Sequence, residues 1–227
     1  MQEKSTINLK EVEKFGRFAK NWWNEKKSEA KMLHKMNPLR ISYILSQVGD
    51  VNGKKILDVG CGGGILSLPL IRLGGDVFSL DPTPEMIEAL KQKSAEENLK
   101  VNALNCKLED CEEKDFDIIL LMDVVEHVEN LESFLEEVKN RLKQDGRIII
   151  STINNTFLSK VFVKFMAEDI LRIIPKGSHA PSKFSSPIQI ESILQMKIKN
   201  LQGFTYNPIF DKFSFTESTK MNYFVRF

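Results

Sequence analysis

A chain of 227 residues, 42% of them hydrophobic, is long enough to bury a full core, and its length favours a single domain. Its formal net charge of +1 offers no field that would gather polyanions, so nucleic acid is not expected as a partner. The three cysteines lack paired metal-ligand spacing, which indicates a reducing compartment. No apolar run is long enough to cross a membrane, and we expect neither a secretion signal nor a transit peptide.

The first fifty residues, 1–50, predict a helical cap. Aromatic side chains recur at helical spacing between Phe15 and Trp23. A second apolar series begins at Leu39, after an expected break at Asn37-Pro38. We therefore expect helices ahead of the main fold.

Between residues 54 and 152, apolar strands alternate with amphipathic helices. Alternation of this kind predicts a parallel sheet with helices packed on its faces. The expected helices cover 84–98 and 130–143, and the inward face of the second consists of Leu131, Phe134, Leu135, Val138 and Leu142. The expected strands cover 55–59, 76–80, 101–105, 116–122 and 146–152.

Residues 153–186 interrupt this alternation with large apolar side chains among which lysines and arginines are interspersed. Such a segment forms either a lid over the site or a surface that lies in a bilayer interface. After it, the sequence predicts a helix at 187–196 and a terminal hairpin of strands 199–206 and 221–226. No repeat or linker divides the chain, so we expect one domain, 1–227, with an insertion.

A glycine turn follows the first expected strand. Gly60, Gly62 and Gly64 let the backbone turn tightly and approach a ligand, and Asp58 places a carboxylate at the mouth of the strand. Asp81 ends the next strand, about where a ribose-binding acid belongs. The turn suits either a dinucleotide or S-adenosylmethionine (SAM). The carboxylate of Asp58 favours SAM, because SAM carries an ammonium whereas a pyrophosphate prefers an uncharged loop.

A second group of polar residues follows the fourth expected strand, at the edge where open α/β sheets bind their ligands. Asp123, Glu126 and His127 would share one side if this segment were a single helical turn. Two carboxylates and an imidazole could then meet. This group predicts the reaction edge of the site.

Together these features resemble the ubiquinone-biosynthesis O-methyltransferases, and the match extends from Phe15 to Tyr223. The glycine turn is common to all class I methyltransferases and is the least specific part. The more specific parts are Trp22-Trp23 ahead of 33–40 (LHKMNPLR), the 62–66 form of the turn (GGGIL), and Thr205-Tyr206-Asn207-Pro208.

The resemblance implies a Rossmann-like class I methyltransferase of the α/β class. Its sheet is expected to have seven mostly parallel strands with the last one antiparallel. The implied activity is SAM-dependent methylation of hydroxyls on polyprenylated catechols and demethylubiquinol. The alternatives are methylation of another small aromatic or lipid hydroxyl, or a catalytically silent scaffold that binds a membrane or a biosynthetic complex. A NAD-dependent dehydrogenase is a more distant alternative.

The resemblance also assigns the cofactor site. Asp81 is expected to hold the ribose hydroxyls, and Arg40 to pair with the cofactor carboxylate through its forked guanidinium. Glu109 or Asp110 would accept from the adenine amino group. The alternatives are a solvated helix residue for Arg40 and a solvated acidic loop for Glu109 and Asp110. The remaining expected cofactor contacts are Asp58, Gly60, Gly62 and Met122.

For the reaction itself, the resemblance implies a divalent cation, magnesium, held by Asp123, Glu126 and His127. The family motif has glutamate where this chain has Asp123, so this ligand has a shorter arm. Such a cation would lower the pKa of a catechol hydroxyl. Without one, His127 could be the general base, and Glu126 is the second expected catalytic residue. The alternative is that Glu126 and His127 only orient the turn.

The implied acceptor is a polyprenyl phenol or quinol, which stays in a membrane. We therefore expect a membrane contact through residues 157–174, and a quinone-biosynthesis complex is a further expected partner. The expected location is the bacterial cytoplasm at the inner membrane face, or the matrix side of the mitochondrial inner membrane in a eukaryote.

Overall fold

The computed structural model describes residues 9–24, 28, 30–156 and 184–227. The segment 157–174, for which a membrane contact or a lid is expected, lies outside the described residues. Within these ranges, no helix combines the length and the apolar character that crossing a bilayer requires.

Six α-helices and eight strands follow one another in the described part of the chain. The helices are α1 (Leu9–Phe18), α2 (Lys31–Val48), α3 (Ser67–Arg72), α4 (Pro84–Glu96), α5 (Leu131–Lys139) and α6 (Pro187–Leu194). The strands are β1 (Lys55–Val59), β2 (Asp76–Leu80), β3 (Asn102–Leu104), β4 (Phe116–Met122), β5 (Leu142–Ile153), β6 (Asn200–Asn207), β7 (Lys212–Thr216) and β8 (Asn222–Arg226).

The strands form one sheet in the order β3-β2-β1-β4-β5-β8-β6-β7. The first five strands are parallel, as predicted. β8 lies between β5 and β6 and is antiparallel to both, so β6 runs in the same direction as β5. The last two expected strands pair antiparallel as β6 and β8, but they do not form the expected hairpin, because β7 follows β6 in the chain and forms the hairpin with it. Among the described residues the sheet has eight strands where seven were expected, because β7 adds an edge strand beside β6.

Hydrophobic clusters lie on both faces of the sheet. On one face, Leu57, Ile119 and Ile150 pack with residues of α5 and α6. On the other face, Ile56 and Ile118, their neighbours in sequence, pack with residues of α2 and α3. Consecutive strand residues point to opposite faces, so a strand covered on both sides must be apolar throughout. This explains why most residues of β1 and β4 are apolar.

Two sequence expectations about the helices are wrong. α5 ends at Lys139 instead of 143, and Leu142 begins β5 opposite Phe116. Arg141, which follows the C-cap residue of α5, is buried, and its guanidinium donates to the carbonyl of Cys111 (2.8 Å). The expected break at 37–38 is also wrong, since α2 continues through Pro38. Proline removes one helical hydrogen bond, and the buried packing of α2 against the sheet compensates for this loss.

Candidate active site

The glycine turn after β1 is bonded directly to β2. The backbone N–H groups of Gly60 and Cys61 both donate to the carbonyl of Leu80, at 2.7 and 3.0 Å. Gly60 and Gly62 have φ values of +67° and +53°, a conformation that glycine adopts most easily. The turn therefore stands at the carboxyl ends of β1 and β2, as predicted.

Trp22, at the end of the first helical segment, packs against this turn. A Cβ on Gly63 would lie 2.3 Å from Cδ1 of Trp22, and one on Gly62 would lie 2.7 Å from Cζ2. A Cβ on Gly60 would lie 2.8 Å from a methyl group of Val124. The missing side chains of Gly62 and Gly63 thus make room for an indole of this chain, in addition to any ligand.

Asp81 ties the turn to the start of α4. One carboxylate oxygen accepts from the N–H of Gly62 (2.9 Å) and the other from the N–H of Thr83 (2.8 Å). Burial raises the pKa of Asp81, and these two backbone donors oppose the rise. Each carboxylate oxygen has a second lone pair, so Asp81 can still accept from the hydroxyls of a bound ribose.

Asp58 is buried at the end of β1 and accepts from the hydroxyl of Ser67 (2.6 Å). Burial raises its pKa to about 6, while the Ser67 hydrogen bond and the charge of Arg40 lower it. A cationic ligand group beside Asp58 would favour the ionised carboxylate. Asp58 is therefore suited to an ammonium.

Arg40 is only 4% exposed, so the alternative of a solvated helix residue is wrong. Its guanidinium forms an ion pair with the carboxylate of Asp123 at the end of β4. Its Nε lies buried and has no hydrogen-bond partner among the described residues. Arg40 also lines the cavity at this edge of the sheet.

The segment from Asp123 to His127 is not one helical turn. Asp123 has a φ of +59°, and its carboxylate is held by Arg40 and by the hydroxyl of Ser151 (2.9 Å). Among the described residues, no group of three His, Cys, Asp or Glu side chains is placed to hold a metal ion. The expected grouping of Asp123, Glu126 and His127 as magnesium ligands therefore gains no support from this arrangement of the side chains.

Glu126 lies in a different environment, 4% exposed and next to β5. Its Oε2 accepts from the hydroxyl of Thr152 (2.8 Å), whereas Oε1 has no hydrogen-bond partner within the described ranges. Burial and the nearby Asp123 raise the pKa of Glu126 to about 7, and His127 and the Thr152 hydrogen bond oppose this rise. The ring of His127 meets Phe15 of α1 edge-on, with 5.5 Å between the ring centroids.

These residues surround one cavity of about 430 Å³ at the carboxyl edge of the sheet. Arg40 and Met122 line it, and Lys107 and Leu108 line it after β3 instead of the expected Glu109 or Asp110. The backbone carbonyl of Glu109 accepts from Arg141, 3.4 Å away. The polar part of the wall also includes Asp58, Gly60, Gly62, Asp81, Glu126 and His127. The apolar part includes Phe15, Phe18, Trp22, Met36, Phe204 and Phe213.

Several residues of the site were not predicted from the sequence. Thr152 and Ser151 fix Glu126 and Asp123, but their role depends on the pairing of β5 with β4. Phe213 lies on β7, the strand that was not predicted. A sequence signal existed only for Ser67, which comes directly after the GGGIL form of the turn.

Comparison with known proteins adds to this geometry. A methyltransferase-domain family matches residues 57–150. The ubiquinone biosynthesis O-methyltransferase of Rickettsia felis is 36% identical over 97% of this chain and 93% of its own length. The enzyme of the same name from Actinobacillus pleuropneumoniae is 34% identical over 96% of this chain and 97% of its own length.

The chain belongs to the ubiquinone biosynthesis O-methyltransferase family. It is therefore a SAM-dependent O-methyltransferase, and the dinucleotide alternative for the glycine turn is wrong. Solved structures agree with the fold of this family. A SAM-dependent methyltransferase from Thermotoga maritima superimposes with a TM-score of 0.64 at 15% identity, covering 96% of this chain and 98% of that one. Magnesium protoporphyrin IX methyltransferase from Synechocystis gives 0.61 at 18% identity, over 85% of this chain and 81% of that one.

Proposed function

We propose that this methyltransferase acts on a hydroxyl of a polyprenylated catechol or demethylubiquinol intermediate in ubiquinone biosynthesis. The names of its relatives support this acceptor class. The observation that carries the proposal is a single cavity with two kinds of wall. Acidic groups and the glycine turn line one part, and aromatic side chains beside a buried carboxyl group line the other.

The cofactor part of the cavity fits SAM. Its buried carboxylates suit an ammonium at Asp58 and ribose hydroxyls at Asp81, and the guanidinium of Arg40, which also lines the cavity, suits a carboxylate. Met122 supplies an apolar surface at the end of β4. When bound, SAM supplies a methyl group already activated by its sulfonium, so the protein contributes mainly positioning and proton transfer.

Glu126 is proposed as the general base, with His127 beside it. A carboxyl with a pKa of about 7 is a stronger base than an ordinary glutamate and is half ionised near neutral pH. Its unpaired Oε1 can accept the proton of a phenol hydroxyl. Deprotonation gives the phenolate that attacks the methyl carbon, and Glu126 keeps the proton until product leaves.

Aromatic side chains are proposed to bind the acceptor ring and the start of its tail. Phe15 and Phe18 come from α1, while Phe204 and Phe213 come from the far side of the cavity on β6 and β7. A wall of this kind suits an aromatic ring, which prefers edge or offset contacts with other rings. The same wall would accept another small aromatic or lipid hydroxyl, the second candidate substrate class.

The expected magnesium ion gains no support from the geometry. Asp123 is occupied by Arg40 and Ser151, and one oxygen of Glu126 is bonded to Thr152. A rate that falls on chelation and recovers with Mg²⁺ alone would restore the metal to the proposal.

We also propose a membrane contact for this enzyme. A polyprenyl acceptor dissolves in a bilayer, so residues 157–174 are proposed to contact the membrane. The enzyme would then work at the cytoplasmic face of a bacterial inner membrane, or at the matrix side in a eukaryote. Membership of a quinone-biosynthesis complex belongs to the same proposal.

Incubation with methyl-labelled SAM and a panel of acceptors tests the function. The panel contains short-chain prenyl catechols, a demethylquinol, and phenols without a second ring hydroxyl or methoxy group. We expect label in the ether of the catechol or quinol products. Equal transfer to unrelated phenols would favour the second substrate class, and no transfer to any acceptor would favour a silent scaffold.

A further inference from the structure

The turn between β6 and β7 exposes two adjacent large apolar side chains. Ile209 is 85% exposed and Phe210 is 77% exposed. Single exposed apolar side chains are common on soluble proteins, but two large neighbours at the tip of a hairpin form a small apolar wedge. We call residues 208–210 the apolar tip.

The backbone of the apolar tip is held by specific hydrogen bonds. The side-chain oxygen of Asn207 accepts from the N–H of Ile209 (2.9 Å) and of Phe210 (3.2 Å). Asp211, with a φ of +48°, closes the turn and accepts from the hydroxyl of Tyr206. Asparagine and proline preorganise such turns, so the two apolar side chains point outward from an ordered backbone.

The hairpin projects from the edge of the sheet at which the cavity lies. Ile153, Asn222 and Phe204 form one row across β5, β8 and β6, and all three line the cavity. Beyond this row, β6 continues for three residues with β7 as its only partner in the sheet, a projection of about 10 Å. Phe213, which follows the tip on β7, also lines the cavity.

Basic side chains surround the apolar tip. Lys35 of α2 forms an ion pair with Asp211. The positive charge of Lys31, one helical turn earlier, also lowers the pKa of Asp211. Lys212 is exposed directly after Asp211. Three lysines around one carboxylate leave a net positive charge, which suits anionic headgroups.

We propose that the apolar tip inserts into the interfacial region of an anionic phospholipid bilayer, with Lys31, Lys35 and Lys212 facing the headgroups. This surface is separate from residues 157–174. The proposal rests on the proposed function in one respect: a polyprenyl acceptor dissolved in a bilayer can enter the cavity only if the cavity faces the bilayer. The tip would then hold the cavity against the membrane surface.

Flotation of the full-length protein with vesicles tests the proposal. The vesicles are phosphatidylcholine with phosphatidylglycerol, compared with phosphatidylcholine alone. The test variant is the double substitution Ile209→Ser and Phe210→Ser. The matched control is Leu73→Ser, because Leu73 is 44% exposed and follows α3, at the opposite edge of the sheet.

We expect the wild type and the control to float with the anionic vesicles. The double variant should partition about tenfold more weakly or worse, since two large side chains no longer leave water. It should keep its thermal midpoint and its rate with a short-chain, water-soluble acceptor. With an acceptor embedded in vesicles its rate should fall in proportion to binding.

Two outcomes would overturn the proposal: a wild-type protein that does not float, or a double variant that floats as well as the wild type. If the double variant floats as well as the wild type but has a different oligomeric state, the tip is a contact between protein chains. A failure of the proposed function would be seen in a different measurement. The wild-type protein would then not methylate the soluble acceptor, whether or not it floats with the vesicles.

Discussion

Glu126 brings together burial, a raised pKa and one oxygen without a hydrogen-bond partner. Replacing Glu126 with Gln keeps the size of the side chain and its contact with Thr152 but removes the base. We expect kcat to fall by about 10²- to 10⁴-fold, the usual contribution of a general base. The affinity for SAM, measured by isothermal titration, should remain within a small factor of wild type. A variant that retains wild-type kcat would contradict the assignment.

The pH dependence of kcat tests the same carboxyl without removing it. A general base works when deprotonated, so the rate should rise with pH and level off above about 7. The hydrogen bond from Thr152 lowers the pKa of Glu126. Thr152→Val removes this bond, and the rising limb should therefore move to higher pH. An unmoved limb would indicate that another group titrates.

Asp81 allows a test of cofactor binding. Asp81→Asn removes the charge and one acceptor, and we expect SAM to bind about 10- to 100-fold more weakly, which corresponds to a lost charged hydrogen bond or two. Asp145→Asn, an exposed position on β5, serves as the matched control. Isothermal titration at one salt concentration compares the three proteins. Equal affinities would remove Asp81 from the proposed ribose site.

At this scale the sequence predicted the acids that end strands but not the groups that hold them. Asp58 and Asp81 follow apolar runs, and the carboxyl ends of parallel strands meet at one edge. Glu126 and Asp123 were expected to act together, yet each is bonded to a different hydroxyl of β5. That separation depends on strand register and on the positive φ of Asp123, neither of which a motif reveals.

Among the elements, the glycine turn and the end of the first helical segment form one packed unit. Gly63→Ala would drive a Cβ into the indole of Trp22, and we expect a loss of about 1–3 kcal/mol in the free energy of unfolding. Trp22→Leu should restore part of this loss in the double variant, because the smaller side chain makes room. Urea unfolding of the three variants measures the coupling.

Gly16→Ala is the matched control for that experiment. Gly16 lies in α1, and a Cβ there would meet only the flexible carboxylate of Glu85, at 3.0 Å. Alanine is also a better helix former than glycine, so this variant should be neutral or slightly stabilised. If Gly63→Ala unfolds at the same urea concentration as wild type, the close packing of Trp22 on the turn is not needed for stability.

Elements with a clear apolar pattern in the sequence were predictable. Elements that form only through pairing or packing with distant parts of the chain were not. β1, β2 and β4 have the predicted bounds, because short, mostly apolar runs between turn residues are typical of strands in a parallel sheet. β7 was missed because it is a short, largely exposed edge strand that exists through its pairing with β6. The end of α5 was misplaced because Leu142, which fits the apolar face of the predicted helix, instead begins β5 opposite Phe116.

The whole molecule should become less stable as pH rises from about 4 to 7. Asp58 and Glu126 have raised pKa values in the folded protein, about 6 and about 7, so the native state holds more protons than the unfolded chain in this range. The stabilisation is complete below the unfolded pKa values and is lost as pH passes the folded ones. Each group contributes up to about 3 kcal/mol to this fall.

Chemical unfolding at a series of pH values from about 4 to about 8 measures this effect. The double variant with Asp58→Asn and Glu126→Gln should lose less stability over the range than wild type. Asp145→Asn should follow the wild-type curve. Parallel curves for wild type and the double variant would mean that other groups set the pH dependence.

The position of β8 has a consequence for synthesis on the ribosome. β8 is made after β6 and β7 but lies between β5 and β6, so neither of those strands can complete its hydrogen bonds until β8 emerges. Until then, the nascent chain presents two open strand edges, which invite pairing with other chains. Chaperones would be needed most in the interval between the synthesis of β6 and the synthesis of β8.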